Sequence, residues 1–400
     1  MKILFVAMSN SIHTARWIGQ IADIGWSLHI FPSIDYGDTH KDLRNVTIHH
    51  SIYGKRKNQN DNVILKGQPV FSNILAWGGR WLLKHLNPHY RRDALIRVIE
   101  EIQPDIIHSM EFQSGAYLVL DTKQEYIRRH GNFRKFPVWI VTNWGSDIYL
   151  FGKYPEHQDK IKGVLKECDY YSCECYRDVK LAKDFEFKGK FLPVLPNAGG
   201  FDLASLEKSK RYILPPSNRK IILLKGYHGW AGRALVGFDA IELCADKLRD
   251  FRVEVFSCSS EEVKKKGQQL SQKTGIAVNI LPPVSHEEML SRFGNARIYV
   301  GLSISDAIST SLLEAMVMGA FPIQSDTSCA DEWITNGKSG FIVPAEDTAI
   351  IAKKILQALE DDKLVDNAAE INSRTVKERL DYDTIKSRVI TEYEKILSQT

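Results

Sequence analysis

Residues 303–326, Ser-Ile-Ser-Asp-Ala-Ile-Ser-Thr-Ser-Leu-Leu-Glu-Ala-Met-Val-Met-Gly-Ala-Phe-Pro-Ile-Gln-Ser-Asp, divide into a loop, a short helix, a glycine stop and a strand. Leu312, Leu313, Ala315, Met316, Val317 and Met318 make the helix apolar on every side, and such a helix belongs in an interior. Glu314 nevertheless stands in its middle, and a carboxylate is almost never buried without a partner. Asp306 lies eight residues earlier, in the loop that feeds the helix. Ser309, Thr310 and Ser311 put hydroxyls and free amide N–H groups at the helix start, where anions bind. Two carboxylates for hydroxyl groups beside an anion site suit a ligand carrying both sugar and diphosphate. The plainer alternative is that Glu314 caps or pairs locally within ordinary α/β packing.

Working outward, continuous apolar runs recur along the chain: 3–8, 27–32, 46–50, 105–109, 138–143, 220–225, 252–257, 278–281, 298–302, 321–325 and 340–343. They do not alternate with polar residues, which marks parallel strands buried on both faces. Helical stretches between them give βαβ units and doubly wound sheets. Turn-rich sequence at 193–216 separates two such domains, expected at 1–205 and 206–380, with a final helix at 381–400 returning to the first. A ligand site is expected at strand carboxyl ends, in the cleft between the domains.

The chain has 400 residues, enough for two ordinary domains, and 44% hydrophobic with 26% charged residues is a globular composition. No apolar stretch approaches the ~20 residues needed to span a bilayer. The first residues run from one cation into polar Ser9–Asn10–Ser11 with no small-residue cleavage site, which argues against a signal peptide. The six cysteines lack zinc-ligand spacing and are expected to be reduced thiols, with no metal and a cytoplasmic location. Residues 1–200 hold 27 Lys and Arg against 21 Asp and Glu, and residues 201–400 hold 26 against 28. The first half is therefore the one to face an anionic surface. No nucleic-acid module signature is present.

The second domain opens on Lys225-Gly226-Tyr227-His228-Gly229-Trp230-Ala231-Gly232-Arg233. A strand ends at Lys225, a glycine-rich loop follows, and a helix is expected to start near Gly232–Arg233. Gly226 and Gly232 let backbone come close to a ligand, and the two cations can clamp a diphosphate as point charge and fork. Solvated cations on a flexible loop are the alternative.

With these residues in place the chain resembles the GT-B-fold glycosyltransferases, specifically glycosyltransferase family 4. The family signature stands here as Asp306-x7-Glu314-Ala315-Met316, then Gly319-Ala320-Phe321-Pro322, with a later Asp331-Glu332-Trp333-Ile334 … Gly337-Lys338-Ser339-Gly340. The match is strong over about 219–360 and weaker over 1–205. The resemblance implies a GT-B architecture of two Rossmann-like domains facing a cleft. It implies retaining transfer of a sugar from a nucleotide diphosphate, most often a UDP-sugar, with no cofactor or metal. Acceptors would be saccharides or lipid-linked sugars in surface polysaccharide or glycolipid synthesis. Glu314 would bind the donor ribose and Asp306 a sugar hydroxyl. Amides near Ser309–Leu312 would contact phosphate or sugar oxygens, and Lys225 and Arg233 would stabilise the leaving diphosphate.

Two departures stand out. Asp306 is one methylene shorter than the family's Glu. The family's His-Gly step is Trp144-Gly145 here, within Thr142-Asn143-Trp144-Gly145-Ser146-Asp147, and an indole cannot shuttle a proton. Another GT-B enzyme, such as a nucleotide-sugar epimerase, and a non-catalytic nucleotide-sugar-binding subunit remain as alternatives.

Acceptor-side candidates in the first domain are His13 and Arg16 after the first strand, His108 at the end of its strand, Trp144, and Asp147 as a helix cap. Thr14 starting a helix with Arg16 on a solvated face is the plainer reading of the first pair. Residues 77–92 interleave aromatics and cations, as in segments that lie on membrane surfaces, which would make the protein peripheral on the inner face of the membrane. An amphipathic helix packed into the first domain, with a basic face outward, accounts for the same pattern.

Overall fold

The computed structural model describes residues 1–35, 38–54, 62–197, 199–210 and 213–399. Ala198, Arg211 and Tyr212 of the expected linker, and Thr400 of the final helix, lie outside the described residues. The chain divides into two units: residues 1–199 with 383–400, and residues 200–382.

In the first unit, β1 (Lys2–Ala7), β2 (Ser27–Pro32), β3 (Val46–Gly54), β4 (Val63–Val70), β5 (Ile106–Met110), β6 (Val138–Thr142), β7 (Tyr170–Ser172) and β8 (Lys190–Phe191) form a parallel sheet in the order β4-β3-β2-β1-β5-β6-β7-β8. In the second, β9 (Ile221–Lys225), β10 (Arg252–Phe256), β11 (Ala277–Ile280), β12 (Ile298–Gly301), β13 (Phe321–Ser325) and β14 (Phe341–Val343) run β11-β10-β9-β12-β13-β14, again all parallel. Strands β4, β7 and β8 escape the sequence reading. β4 exposes most of its residues, and β7 and β8 are three and two residues long, so none makes a continuous apolar run. Most legible strands are sealed on both faces, such as β12 and β13, in which every residue is buried; β11, the edge strand, was legible although it has no buried residue.

Strand order reverses between β1 and β5 in one sheet and between β9 and β12 in the other. At such a switch point the loops leaving the two strands diverge to opposite faces and open a crevice at the carboxyl ends. In the second unit those loops are 226–233 and 302–309, the ones that carry the sequence motifs.

The helix Tyr382–Ser398 packs on the first unit through Ile385, Val389, Tyr393 and Ile396. Trp17 Nε1 donates to the Tyr393 hydroxyl at 3.0 Å, and that hydroxyl lies 2.6 Å from His108 Nδ1. In the second unit Arg297, 1% exposed, binds the carbonyls of Ala358, Leu359 and Ser217 and the Asp362 carboxylate. It thereby satisfies the last carbonyls of the helix Thr348–Glu360.

The helix Asn73–Leu86 corrects the packed amphipathic expectation: Ala76 is its only buried residue, and its outward face is apolar. Its inward contacts are small. A side chain at Gly79 would collide with Ile52, and Arg80 Nη1 holds the Ile52 carbonyl at 2.6 Å. Among the described residues no helix is long and apolar enough to cross a membrane.

Candidate nucleotide-sugar site

The helix Thr310–Met318 forms where the sequence puts it, and every residue from Ser311 to Met318 is buried. Gly319 ends it at φ 78°, a left-handed conformation that a Cβ disfavours, and Ala320 N–H closes the end on the Ala315 carbonyl. At the other end Ser309 is the N-cap with its backbone extended, but its side chain does not cap the helix. Its hydroxyl instead receives Lys225 Nζ at 3.2 Å. The ammonium at the end of β9 therefore sits beside the positive end of the helix, whose first N–H groups have no intrahelical acceptor. Two sources of positive potential converge at one switch point.

Loop 226–233 folds back on itself to reach this place. Ala234 N–H bonds to Tyr227 O, Arg233 N–H to Leu302 O, and Ile304 N–H to Ala231 O. A Cβ at Gly232 would lie 2.2 Å from the Tyr227 carbonyl oxygen, so glycine is required for the loop's own closure. At Gly226 a Cβ would meet Val255, Phe256 and Cys258. The helix that follows is Ala234–Leu243, with Arg233 as its N-cap residue.

Arg233 does not point free. Its Nε lies 2.6 Å from Glu346 Oε1, and its Nη1 meets the carbonyls of Gly229, Ala231 and Gly232.

Glu314 is 6% exposed, and its Oε1 lies 2.9 Å from His286 Nε2. This partner comes from 28 residues away, on the first turn of the helix His286–Asn295. His286 was missed in the sequence. Ser285 and Glu288 mark that helix start, and Ser285 Oγ does accept Glu288 N–H, but nothing in the spacing ties it to Glu314.

Asp306 is half-buried and accepts the Ala307 N–H at 2.9 Å. Burial raises the Tyr227 phenol, and the Asp306 carboxylate raises it further. Burial likewise pushes the Tyr299 phenol well up, and both Asp306 and Glu314 add to that shift. The two acids thus share one tyrosine, which also bonds Gln324. Ser303, bridged to Gly232, has a buried hydroxyl with no hydrogen-bond partner among the described residues. Lys225 meets Ser309 at the head of this helix, Asp306 and Glu314 both act on Tyr299, and Arg233 is turned to Glu346.

The first unit treats its candidates differently. His13 and Trp144 come together at the ends of β1 and β6, ring centroids 5.5 Å apart. Trp144 Nε1 is buried with no hydrogen-bond partner among the described residues. Arg16 is half-buried on the helix Ile12–Gly19.

His108 needs a correction. It lies in the middle of β5 rather than at its end, is fully buried, and bonds Tyr393 and Thr142 at 2.6 Å each. Burial pushes its pKa down to about 3, which favours the neutral ring. Asp147 is buried as well. It accepts the N–H groups of Trp144 and Phe112, whereas Gly145 is the N-cap of the helix Ser146–Tyr149. Burial, then the Glu111 carboxylate, push the Asp147 pKa up to about 8. Glu111, missed in the sequence, stands at φ 81° just past β5, at the switch point, with Ser114 bonded to both carboxylate oxygens.

Residues 216–375 match the family model described as glycosyl transferases group 1. A phosphatidyl-myo-inositol mannosyltransferase of Mycobacterium leprae (strain TN) is 24% identical over 206 residues, which are 50% of this chain and 53% of that protein. The chain thus aligns with about half the length of this curated relative. Sucrose-phosphate synthase from Thermosynechococcus elongatus covers 100% of both chains with a TM-score of 0.69 at 12% identity. Anabaena HepE in complex with UDP-glucose covers 99% of this chain and 100% of its own, with a TM-score of 0.64 at 13% identity. An α,α-trehalose-phosphate synthase (UDP-forming) from Burkholderia xenovorans gives a TM-score of 0.66 at 11% identity over 99% of this chain and 100% of its own. At these identities the structural likeness carries the fold alone. Residues 216–375 are accordingly similar to the glycosyl transferases group 1 family, on a chain with the GT-B fold.

Proposed function

We propose that the protein is a glycosyltransferase of family 4 type that moves a sugar, with retention, from a nucleotide diphosphate to a saccharide or lipid-linked acceptor. The observation that carries this reading is the 3.2 Å contact between Lys225 Nζ and Ser309 Oγ at the head of the helix that holds Glu314. A diphosphate at that head would meet helix N–H groups and the Lys225 ammonium together. Glu314, held by His286, would take the ribose hydroxyls, and Asp306 a hydroxyl of the sugar. As the donor bond breaks, negative charge grows on the diphosphate, and fixed positive groups there lower the barrier. Arg233 joins them by leaving Glu346.

His13, Arg16 and Trp144 are assigned to the acceptor. His108 and Asp147 are not, because both are sealed inside their unit. A UDP-sugar is the favoured donor, supported by the UDP-glucose complex of HepE and the UDP-forming synthase. The mannosyltransferase name of the curated relative leaves the sugar itself for experiment.

The test is thermal denaturation with UDP, GDP, ADP and TDP on wild type and Glu314→Ala, since a ligand that binds only the folded state raises its stability. A rise with UDP that disappears in Glu314→Ala, together with donor hydrolysis lost in the same variant, is expected. Binding without turnover would favour the non-catalytic subunit. No shift with any nucleotide would overturn the reading.

A further inference from the structure

The helix Asn73–Leu86 is inverted relative to a water-facing helix. A surface helix normally turns its apolar stripe inward and its polar face out. Here the inward stripe is Ala76, Gly79 and Leu83, with Arg80 anchored to Ile52 O. Outward, Ile74 is 80% exposed, Leu86 73% and Trp77 64%, with Leu75, Trp81 and Leu82 beside them and Phe71 just before the helix. Seven of the seventeen large apolar side chains exposed among the described residues fall within 71–86, so the patch is concentrated rather than scattered.

The charges on the helix itself, Arg80 and Lys84, have one sign. Residues 62–92 contain Lys66, Arg80, Lys84, Arg91 and Arg92 and no Asp or Glu, though Lys66 pairs with Glu101, Arg91 with Asp35 and Arg92 with Asp93. Lys84 is exposed on the helix and makes no ion pair among the described residues. The His85 ring lies tilted against Trp81, with ring centroids 3.9 Å apart. A helix with large apolar and indole side chains outward, and with cations but no acid among its own residues, matches the interface of an anionic bilayer. A second copy of the chain matches less well, because a two-fold contact would set this cationic face against itself.

We propose that the helix Asn73–Leu86 docks the protein onto an anionic lipid bilayer. Ile74, Trp77, Trp81 and Leu86 enter the headgroup–acyl boundary, and Lys84 meets lipid phosphates. The proposal is independent of the nucleotide reading, since nothing in it depends on the second unit.

The experiment is co-sedimentation of the full chain with phosphatidylcholine vesicles, with and without phosphatidylglycerol. Binding is expected on the anionic vesicles, about tenfold or more above the neutral ones, and falling with salt. Ile74→Ser/Trp77→Ser/Trp81→Ser should lose it about tenfold or more without lowering the melting temperature, because these side chains are exposed. Lys84→Gln, which cannot disturb the packing, should weaken it about fivefold. Three results would overturn the proposal: no binding to anionic vesicles, equal binding by the triple variant, or a dimer in ultracentrifugation that the same substitutions dissolve.

Discussion

The two switch points of this chain are built alike and used differently. At the second, between β9 and β12, the polar groups stand at the rim: Lys225 and Asp306 are half-buried, and the helix head at Ser309 is turned to meet them. At the first, between β1 and β5, the titratable groups have withdrawn into the fold. His108 is locked between Tyr393 and Thr142, and Asp147 and Glu111 are spent on backbone N–H groups and Ser114. The lesson is that position at a strand end does not make a residue functional. What separates the two rims is burial: Lys225 and Asp306 stay half-exposed, whereas His108, Glu111 and Asp147 are sealed inside their unit.

The largest effect should come from exchanging one residue at each rim. Lys225→Ala is expected to lower donor turnover about 10²–10³-fold, the usual cost of one removed transition-state donor. Its melting temperature should hold, since the side chain makes one hydrogen bond at a half-buried position. His108→Ala should do the reverse. It leaves the buried Thr142 hydroxyl without its histidine and the Tyr393 hydroxyl with the Trp17 N–H alone, at about 1–3 kcal/mol, while turnover per folded molecule stays near wild type. If His108→Ala abolishes turnover in folded protein, the contrast between the rims fails.

How much of this was legible in the sequence follows from the same distinction. Strands β1, β9, β12 and β13 were readable because burial on both faces leaves an uninterrupted apolar run. The short β7 and the exposed β4 carry no such signature, and their membership in the sheet depends on neighbours far along the chain. The helix around Glu314 was visible because a lone acid in an apolar segment is costly, but its partner His286 was not, since nothing local encodes a 28-residue contact. His108 misled for a related reason. The sequence shows a histidine near a strand end, whereas its environment is set by Tyr393 from a helix 285 residues later. The mix of aromatics and cations over 77–92 was readable as composition, but the outward apolar face of 71–86 was not, because it depends on Gly79 being small enough to pack on Ile52.

An intermediate effect should appear in the pH dependence of the first rim. Asp147 is raised to about 8 in the fold by burial and by Glu111, while the unfolded chain restores an ordinary carboxyl near 4. Between these values the folded state holds a proton that the unfolded state releases. The associated stability is therefore full below about pH 4 and is lost as pH rises through about 8. Asp178, which faces the same group, is paired with Arg177 and Asn143. Asp147→Asn keeps an acceptor for the Trp144 and Phe112 N–H groups and carries no charge. Its melting temperature should change less than that of wild type between pH 6 and pH 9 by a few degrees. Identical slopes would mean that the carboxyl is already ionised inside the fold.

The smallest effect sharpens the other side of the comparison. Arg233 lies 2.6 Å from Glu346, whose side chain is 63% exposed, so the pair is screened and contributes at most about 1 kcal/mol. A diphosphate carries more charge than one carboxylate and would compete for the same guanidinium. Glu346→Gln removes the competitor and leaves the carbonyls of Gly229 and Gly232 to hold Arg233 near the rim. UDP should then bind about two- to fivefold more tightly, in line with the loss of one exposed ion pair, with the melting temperature of the free protein nearly unchanged. Weaker binding in Glu346→Gln would instead make the ion pair a support that orients Arg233 for the ligand, and the second rim would then resemble the first.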